Sequence, residues 1–219
     1  MANQNAADAK TPDTVMAMCT YVTTLLCLLA AGGAIIVAPW ILLIIYGRAY
    51  TPASTATAFA LATALVHMGS WAAAQRLSVL SIRLSGVINT IWAAFVAVTA
   101  TLFLFHSSNA TKGAAVYLAA HLLSAVLLLG ALKRRGNLPR GMALAFGWGV
   151  LSVIVLALIS IGRDVFTSVS LPLTAGAVCF WIVALAIMIQ MGKRRKWLPS
   201  TQMANHLLSR LPSLSKIRS

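Results

Sequence analysis

The chain has 219 residues, of which 60% are hydrophobic and 9% charged, and its mean hydropathy is +0.87. Soluble domains carry about 25% charged residues. No soluble core of this length hides so much apolar surface, so composition selects an integral membrane protein. Three acids (Asp8, Asp13 and Asp164) stand against 17 Lys and Arg, for a net charge of +14. The bases lie between apolar segments and in the tail. There they read as orientation signals and anionic-lipid contacts, not as a nucleic-acid surface.

A helix that crosses a bilayer needs about 20 mostly apolar residues. Six segments qualify, at 15–46, 53–74, 86–106, 114–132, 142–162 and 170–191. The expected fold class is therefore an all-α integral membrane protein, with six transmembrane helices in one domain over 15–192. Residues 1–14 form a short N-terminal segment and 193–219 a basic tail. Nothing at the start resembles a cleavable signal peptide, because the apolar run after Lys10, Asp8 and Asp13 is too long for a signal h-region.

The first segment ends in "APWILLIIYGRAYTP". Gly32, Gly33 and Pro39 are the places where it can bend, since proline deletes a backbone hydrogen bond and clashes with the preceding turn. Gly47 suits a left-handed C-terminal cap. Thr51 and Pro52 suit the start of the return helix, as N-cap and first helical residue. The stretch reads as a bend followed by a tight outer hairpin.

The second segment carries His67 and Trp71 at i, i+4, hence on one face, and meets Arg76 at its end. A charge deep in a bilayer costs about 2.5–3.5 kcal/mol on insertion scales, so such residues face cavities or snorkel. Arg76 and Arg83 read either as interfacial anchors or, for Arg76, as a cation that meets a phosphate in a cavity. Asn89 and Trp92 share a face of the third segment. Tyr117 and His121 repeat the i, i+4 spacing in the fourth, with Ser124 one turn on. Aromatic planes, amides and imidazoles are what a sugar-binding cavity uses. The plainer alternative is helix–helix hydrogen bonding within the bundle, worth about 0.6 kcal/mol per pair. His106 and His206 have no visible partner.

The "NAT" at 109–111 matches a glycosylation acceptor pattern, to which we give no weight, and "RGMALAFGWG" opens the fifth segment with glycines that permit close helix approach. Thr167, Ser168 or Ser170 can cap the sixth. Beyond it, Lys193, Arg194, Arg195 and Lys196 form a juxtamembrane basic cluster beside Trp197, expected to contact an anionic leaflet. Met203, Leu207, Leu208 and Leu211 fall at helical spacing before Pro212, so this stretch is either a surface amphipathic helix or a basic tail without regular structure.

With both termini cytoplasmic, the inner side holds Lys10, Arg76, Arg83, Lys133, Arg134, Arg135, Arg140 and the seven bases of the tail. The outer side then holds only Arg48, Lys112 and Arg163, a division of 14 to three that supports both the orientation and the count of six spans. The sequence lacks the supplies of an enzyme: no carboxylate pair, no His/Cys metal spacing and no glycine-rich phosphate loop. We therefore expect no catalytic site, no cofactor and no metal. Cys19, Cys27 and Cys179 lie in apolar segments and read as packing residues.

The run from "APWILLIIYGRAYTPASTATAFALATALVHMGSWAAAQRLSVL" to "TKGAAVYLAAHLLSAVLLLGAL" resembles the polysaccharide-type oligosaccharide flippases of the multidrug/oligosaccharidyl-lipid/polysaccharide exporter superfamily. The features that carry the resemblance are Pro39, Gly47, Tyr50, Asn89, Gly113, Ala114 and Ala115, in order, over residues 25–135. The resemblance implies a transporter lobe for a polyprenyl-pyrophosphate-linked sugar, expected in a bacterial inner (plasma) membrane and corresponding to the later half of the family's fold. It carries the pyrophosphate-meeting role to Arg76, and the polar and aromatic residues named above, His67, Trp71, Asn89, Trp92, Tyr117 and His121, are the expected remainder of the substrate site. Family members close their cavity with two lobes, so one lobe calls for a second lobe or a further copy. A six-span accessory or scaffold protein without transport of its own is the competing expectation.

Overall fold

A bilayer offers the backbone no water, and within a single segment only a helix satisfies its own N–H and C=O groups. The computed structural model describes residues 11–50, 53–104, 109–139, 141–165, 171–195 and 197. The described chain is helical throughout: α1 (Thr11–Tyr46), a single 3-10 turn (Arg48–Tyr50), α2 (Ala53–Leu80), α3 (Ile82–Leu104), α4 (Ala110–Arg134), α5 (Met142–Val165) and α6 (Leu171–Arg195). All six α-helices are long and apolar enough to cross a membrane.

The apolar sequence leaves the helix ends to local chemistry. Gly47 stops α1 at φ +83°, in the left-handed region where a Cβ is costly. Gly136, at φ +67°, ends α4 in a paired cap: its N–H bonds to the Lys133 carbonyl while the Asn137 N–H reaches back to Leu132. At the start of α4 the Asn109 side chain accepts from the Thr111 N–H at 2.9 Å. The acceptor-like "NAT" is thus a helix cap. Asn109→Ala is expected to cost about 1 kcal/mol, seen as a fall in Tm of about 2–4 °C. Thr51, Pro52, Thr167, Ser168 and Ser170 lie outside the described residues, as do His106, Lys196, His206 and the stretch with Met203, Leu207, Leu208 and Leu211.

The structure differs from the sequence expectation at "QRLSVLSIRLS", which reads as a connection. Here α2 continues through Arg76 to Leu80, and only Ser81 separates it from α3. Ser81 closes one helix with its N–H on the Leu77 carbonyl and opens the next by accepting from the Leu84 N–H. Ser78 and Ser85 meet across the joint at 3.0 Å, and the Arg135 guanidinium donates to the Leu80 carbonyl at 3.4 Å. Gln, Arg, Leu and Ser are all compatible with a helix. Charge at the membrane interface marks where the bilayer ends and leaves the helix free to run on.

The first helix is likewise longer than expected, starting at Thr11 and running unbroken through Pro39. Its 36 residues span about 54 Å, well beyond a hydrocarbon core of about 30 Å. Gly32 and Gly33 in this helix face Trp181 of α6. A Cβ at Gly32 would come within 2.6 Å of that indole, so the glycine pair serves a close helix contact.

Polar residues inside the bundle bond back to their own helices. Thr57, Thr63 and Ser78 of α2 donate to the carbonyls of Ala53, Phe59 and Ala74, and Ser152 of α5 donates to Trp148. This i−4 bonding lets a helix as rich in Ala, Ser and Thr as α2 sit at the centre of the bundle. There α2 touches α1, α3, α4 and α5. Lipid tails are as apolar as leucine side chains, so close fit holds such helices together. Gly69 of α2 lies against Phe146 and Thr24, and Gly149 of α5 lies against the same Thr24, so α1, α2 and α5 approach one another around one small hydroxyl residue. Gly147, by contrast, has open space around it.

Three aromatic side chains tie down the peripheral α6. Tyr21 Oη donates to the Met188 carbonyl at 2.9 Å, Trp148 Nε1 to Ala184 at 3.3 Å, and Trp181 Nε1 to Leu28 at 3.0 Å. Of the cysteines, Cys27 packs against the core, whereas Cys19 and Cys179 are exposed on the outside of the bundle and do not pack as expected.

Candidate functional site

His67 follows the buried pair Leu65 and Val66 on α2. Its imidazole meets that of His121 on α4, with ring centroids 5.3 Å apart and planes at 78°. His121 is the hub of the group. It also meets Trp92 of α3 at 5.3 Å and 79°, and Tyr117, one turn earlier on its own helix, at 4.5 Å and 60°. Trp92 and Tyr117 close the set at 5.9 Å and 69°. Three helices therefore bring four rings together, edge to face, the arrangement that ring quadrupoles favour.

The hydrogen bonding fixes the chemistry of the hub. His121 Nδ1 lies 3.0 Å from the Tyr117 carbonyl. A carbonyl only accepts, so this contact places a proton on Nδ1, and in the neutral form of the ring Nε2 is left as an acceptor. Trp92 Nε1 is buried and has no oxygen or nitrogen acceptor among the described residues. Tyr117 is 45% exposed, His67 is exposed, and Trp92 and His121 are half-buried, so the cluster opens on the outer surface of this chain.

The other three candidates join none of these ring pairs. Trp71 is on the same face of α2 as His67, one turn on, and 56% exposed. Asn89, one turn before Trp92 on α3, is exposed. Arg76 is half-buried and stands apart. Nine residues from His67 amount to 2.5 turns and about 14 Å along the axis, so it projects from the opposite side of α2, toward the basic end of the bundle.

Comparison of the chain with protein-family models, curated proteins and solved structures found no match. The chemistry must be read from the residues themselves. The cluster has planes for stacking, a hydroxyl and an imidazole acceptor, and no carboxylate. No group of three His, Cys, Asp or Glu among the described residues is arranged to hold a metal.

Sequence reasoning paired His67 with Trp71 and Tyr117 with His121, each within one helix. It missed that the second pair and Trp92 meet His67 across three helices. It also missed the recess at the other side of the bundle, where Trp197 is buried against Tyr21 and Gly141, with the two indole and phenol rings 5.6 Å apart. The signal available was the Gly141–Trp197 combination: a glycine at φ +86° beside a bulky ring near a helix start.

Proposed function

We propose that the chain is one six-helix lobe of a membrane transporter that moves a lipid-linked sugar across a bilayer for export of cell-surface polysaccharide. The observation that carries this reading is the convergence of His67, Trp92, Tyr117 and His121 on an exposed face within the spans. Sugar rings stack their C–H faces on aromatic planes, and their hydroxyls donate to acceptors such as His121 Nε2. The face is open on this chain, so a second lobe or a further copy completes the cavity, and transport proceeds by rocking of one bundle against the other. In this reading both termini are cytoplasmic, and Arg76 lies on the cytoplasmic side of the sugar site, where it meets the pyrophosphate of a polyprenyl carrier. The membrane is a bacterial inner membrane.

The test is flipping of a fluorescent lipid-linked oligosaccharide in proteoliposomes, with this chain alone and with a co-expressed partner lobe. Transport is expected only in the paired or oligomeric assembly. In that assembly Arg76→Ala should weaken substrate binding by about tenfold, since a hydrogen bond to a charged group is worth about 1.5–3 kcal/mol. Unchanged binding removes Arg76 from the site. Absence of transport in every assembly favours the second reading, an accessory six-span protein whose exposed ring cluster receives a partner's helix.

A further inference from the structure

The end of α6 and the first turn of α5 enclose a small basic recess. Gly141, Leu144, Met191, Arg194, Arg195 and Trp197 line it, and it measures about 170 Å³. Small-molecule sites run to about 300–1,000 Å³, so this one admits a headgroup and not a whole ligand. Trp197 forms a firm wall. It is 7% exposed, its N–H bonds to the Gly192 carbonyl at 3.0 Å, and its ring lies over the Gly141 backbone. Arg195 reaches the same spot, with Cζ 3.5 Å from where a Gly141 Cβ would sit.

The electrostatics of this recess are one-sided. Two guanidinium groups line it, and neither has a hydrogen-bond or ion-pair partner among the described residues. The first turn of α5, whose Met142 N–H is bonded to the Pro139 carbonyl, adds the positive end of a 24-residue helix dipole. Cations are favourable at the C-terminus of α6 and unfavourable at the N-terminus of α5, and here the two termini are adjacent. An anion between them pairs with the α6 arginines and screens them from the α5 N-terminus. Leu144, the third residue of α5, is 62% exposed on the wall of the recess, as suits a position at the edge of the hydrocarbon. A soluble anion would gain nothing from that surface, whereas a phospholipid places its phosphate and its chains on the two parts at once.

We infer that the recess between α5 and α6 is a binding site for one anionic glycerophospholipid, with Arg194 and Arg195 holding the phosphate against the α5 N-terminus and Trp197 as the wall. This goes beyond a general attraction to a charged leaflet, because it assigns a stoichiometry and a place. It is independent of whether the protein transports anything.

The test uses the full chain extracted from bilayers of phosphatidylcholine with a minor share of phosphatidylglycerol, and native mass spectrometry of the lipids that remain bound. The parent is expected to retain one phosphatidylglycerol in preference to phosphatidylcholine. Arg194→Gln with Arg195→Gln should lower that preference by about thirtyfold, the product of two surface bases. Lys133→Gln with Arg134→Gln makes the same change in charge in the last turn of α4 and should leave retention intact. Arg194→Lys with Arg195→Lys keeps the charge and should retain most of the lipid, which separates loss of binding from loss of fold. Equal loss in the two glutamine variants would show diffuse attraction and overturn the assignment. So would unchanged retention in Arg194→Gln with Arg195→Gln, or displacement of the lipid by millimolar inorganic phosphate.

Discussion

Replacing Gly192 by alanine is expected to destabilise the protein by about 3 kcal/mol. The reason lies in Tyr21, whose side chain is fully buried. Its hydroxyl crosses from α1 to the Met188 carbonyl of α6, one turn before Gly192, and its ring lies 5.6 Å from that of Trp197. The phenol occupies the space above Gly192, so a Cβ there would run into Oη, Cζ and Cε1 together. Overpacking of this kind costs about 1–3 kcal/mol, and displacement of the phenol also loses its hydrogen bond, about 0.5–1.5 kcal/mol. For a chain of this length each kcal/mol lowers Tm by about 2–4 °C, so thermal unfolding in detergent should show a fall of about 6–12 °C. Tyr21→Leu made together with Gly192→Ala should recover part of the loss, because neighbours in contact are not additive. A Gly192→Ala protein that melts with the parent would show that α1 and α6 do not meet in this register.

The same residues show what the sequence could and could not convey. Length and composition sufficed for the six spans, since each requires only a sustained apolar run. Partners within the bundle are harder to read. In a water-soluble helix a polar face marks the outside. Here the outside is lipid, both faces are apolar, and Trp148, Trp181 and Tyr21 look the same as the exposed Trp40 or Trp71. Nothing in the order of residues says which indole reaches a carbonyl on another helix. The α2–α3 joint is hidden for a different reason: Arg76 and Arg83 signal the interface, and the end of the bilayer need not be the end of a helix.

The ring cluster was half legible. Spacing alone puts Tyr117 and His121 on one face, and the hydrogen bond between His121 and the Tyr117 carbonyl is local. That His67 meets His121 depends on the register of α2 against α4, two helices apart in the chain, which short apolar sequences leave open. The position of Arg76 needed no structure. A separation of nine residues on a helix of 3.6 residues per turn already turns it away from His67, so a site built on both requires the substrate to pass around α2. The lipid-linked sugar proposed above would meet that requirement, with the sugar and the pyrophosphate as separate parts of one long molecule.

His121 decides whether the cluster binds sugar or only holds helices together. Its ring touches three others, and edge-to-face pairs are worth about 0.5–1.5 kcal/mol each. His121→Ala is therefore expected to cost about 2–3 kcal/mol of stability and more than tenfold in flipping, with the two effects entangled. His121→Phe separates them. Phenylalanine keeps a ring against His67, Trp92 and Tyr117, so Tm should stay within about 4 °C of the parent, the equivalent of about 1 kcal/mol. It also removes the Nε2 acceptor, and a single hydrogen bond of about 1 kcal/mol corresponds to about fivefold in substrate affinity. The backbone carbonyl of Tyr117 loses only an extra donor, because its helical partner at residue 121 is an N–H that any side chain leaves in place. A His121→Phe assembly that folds like the parent and flips about fivefold more slowly assigns the imidazole to the substrate. One that folds and flips like the parent makes the four rings a packing device, and moves the search for a sugar site to another face of the bundle.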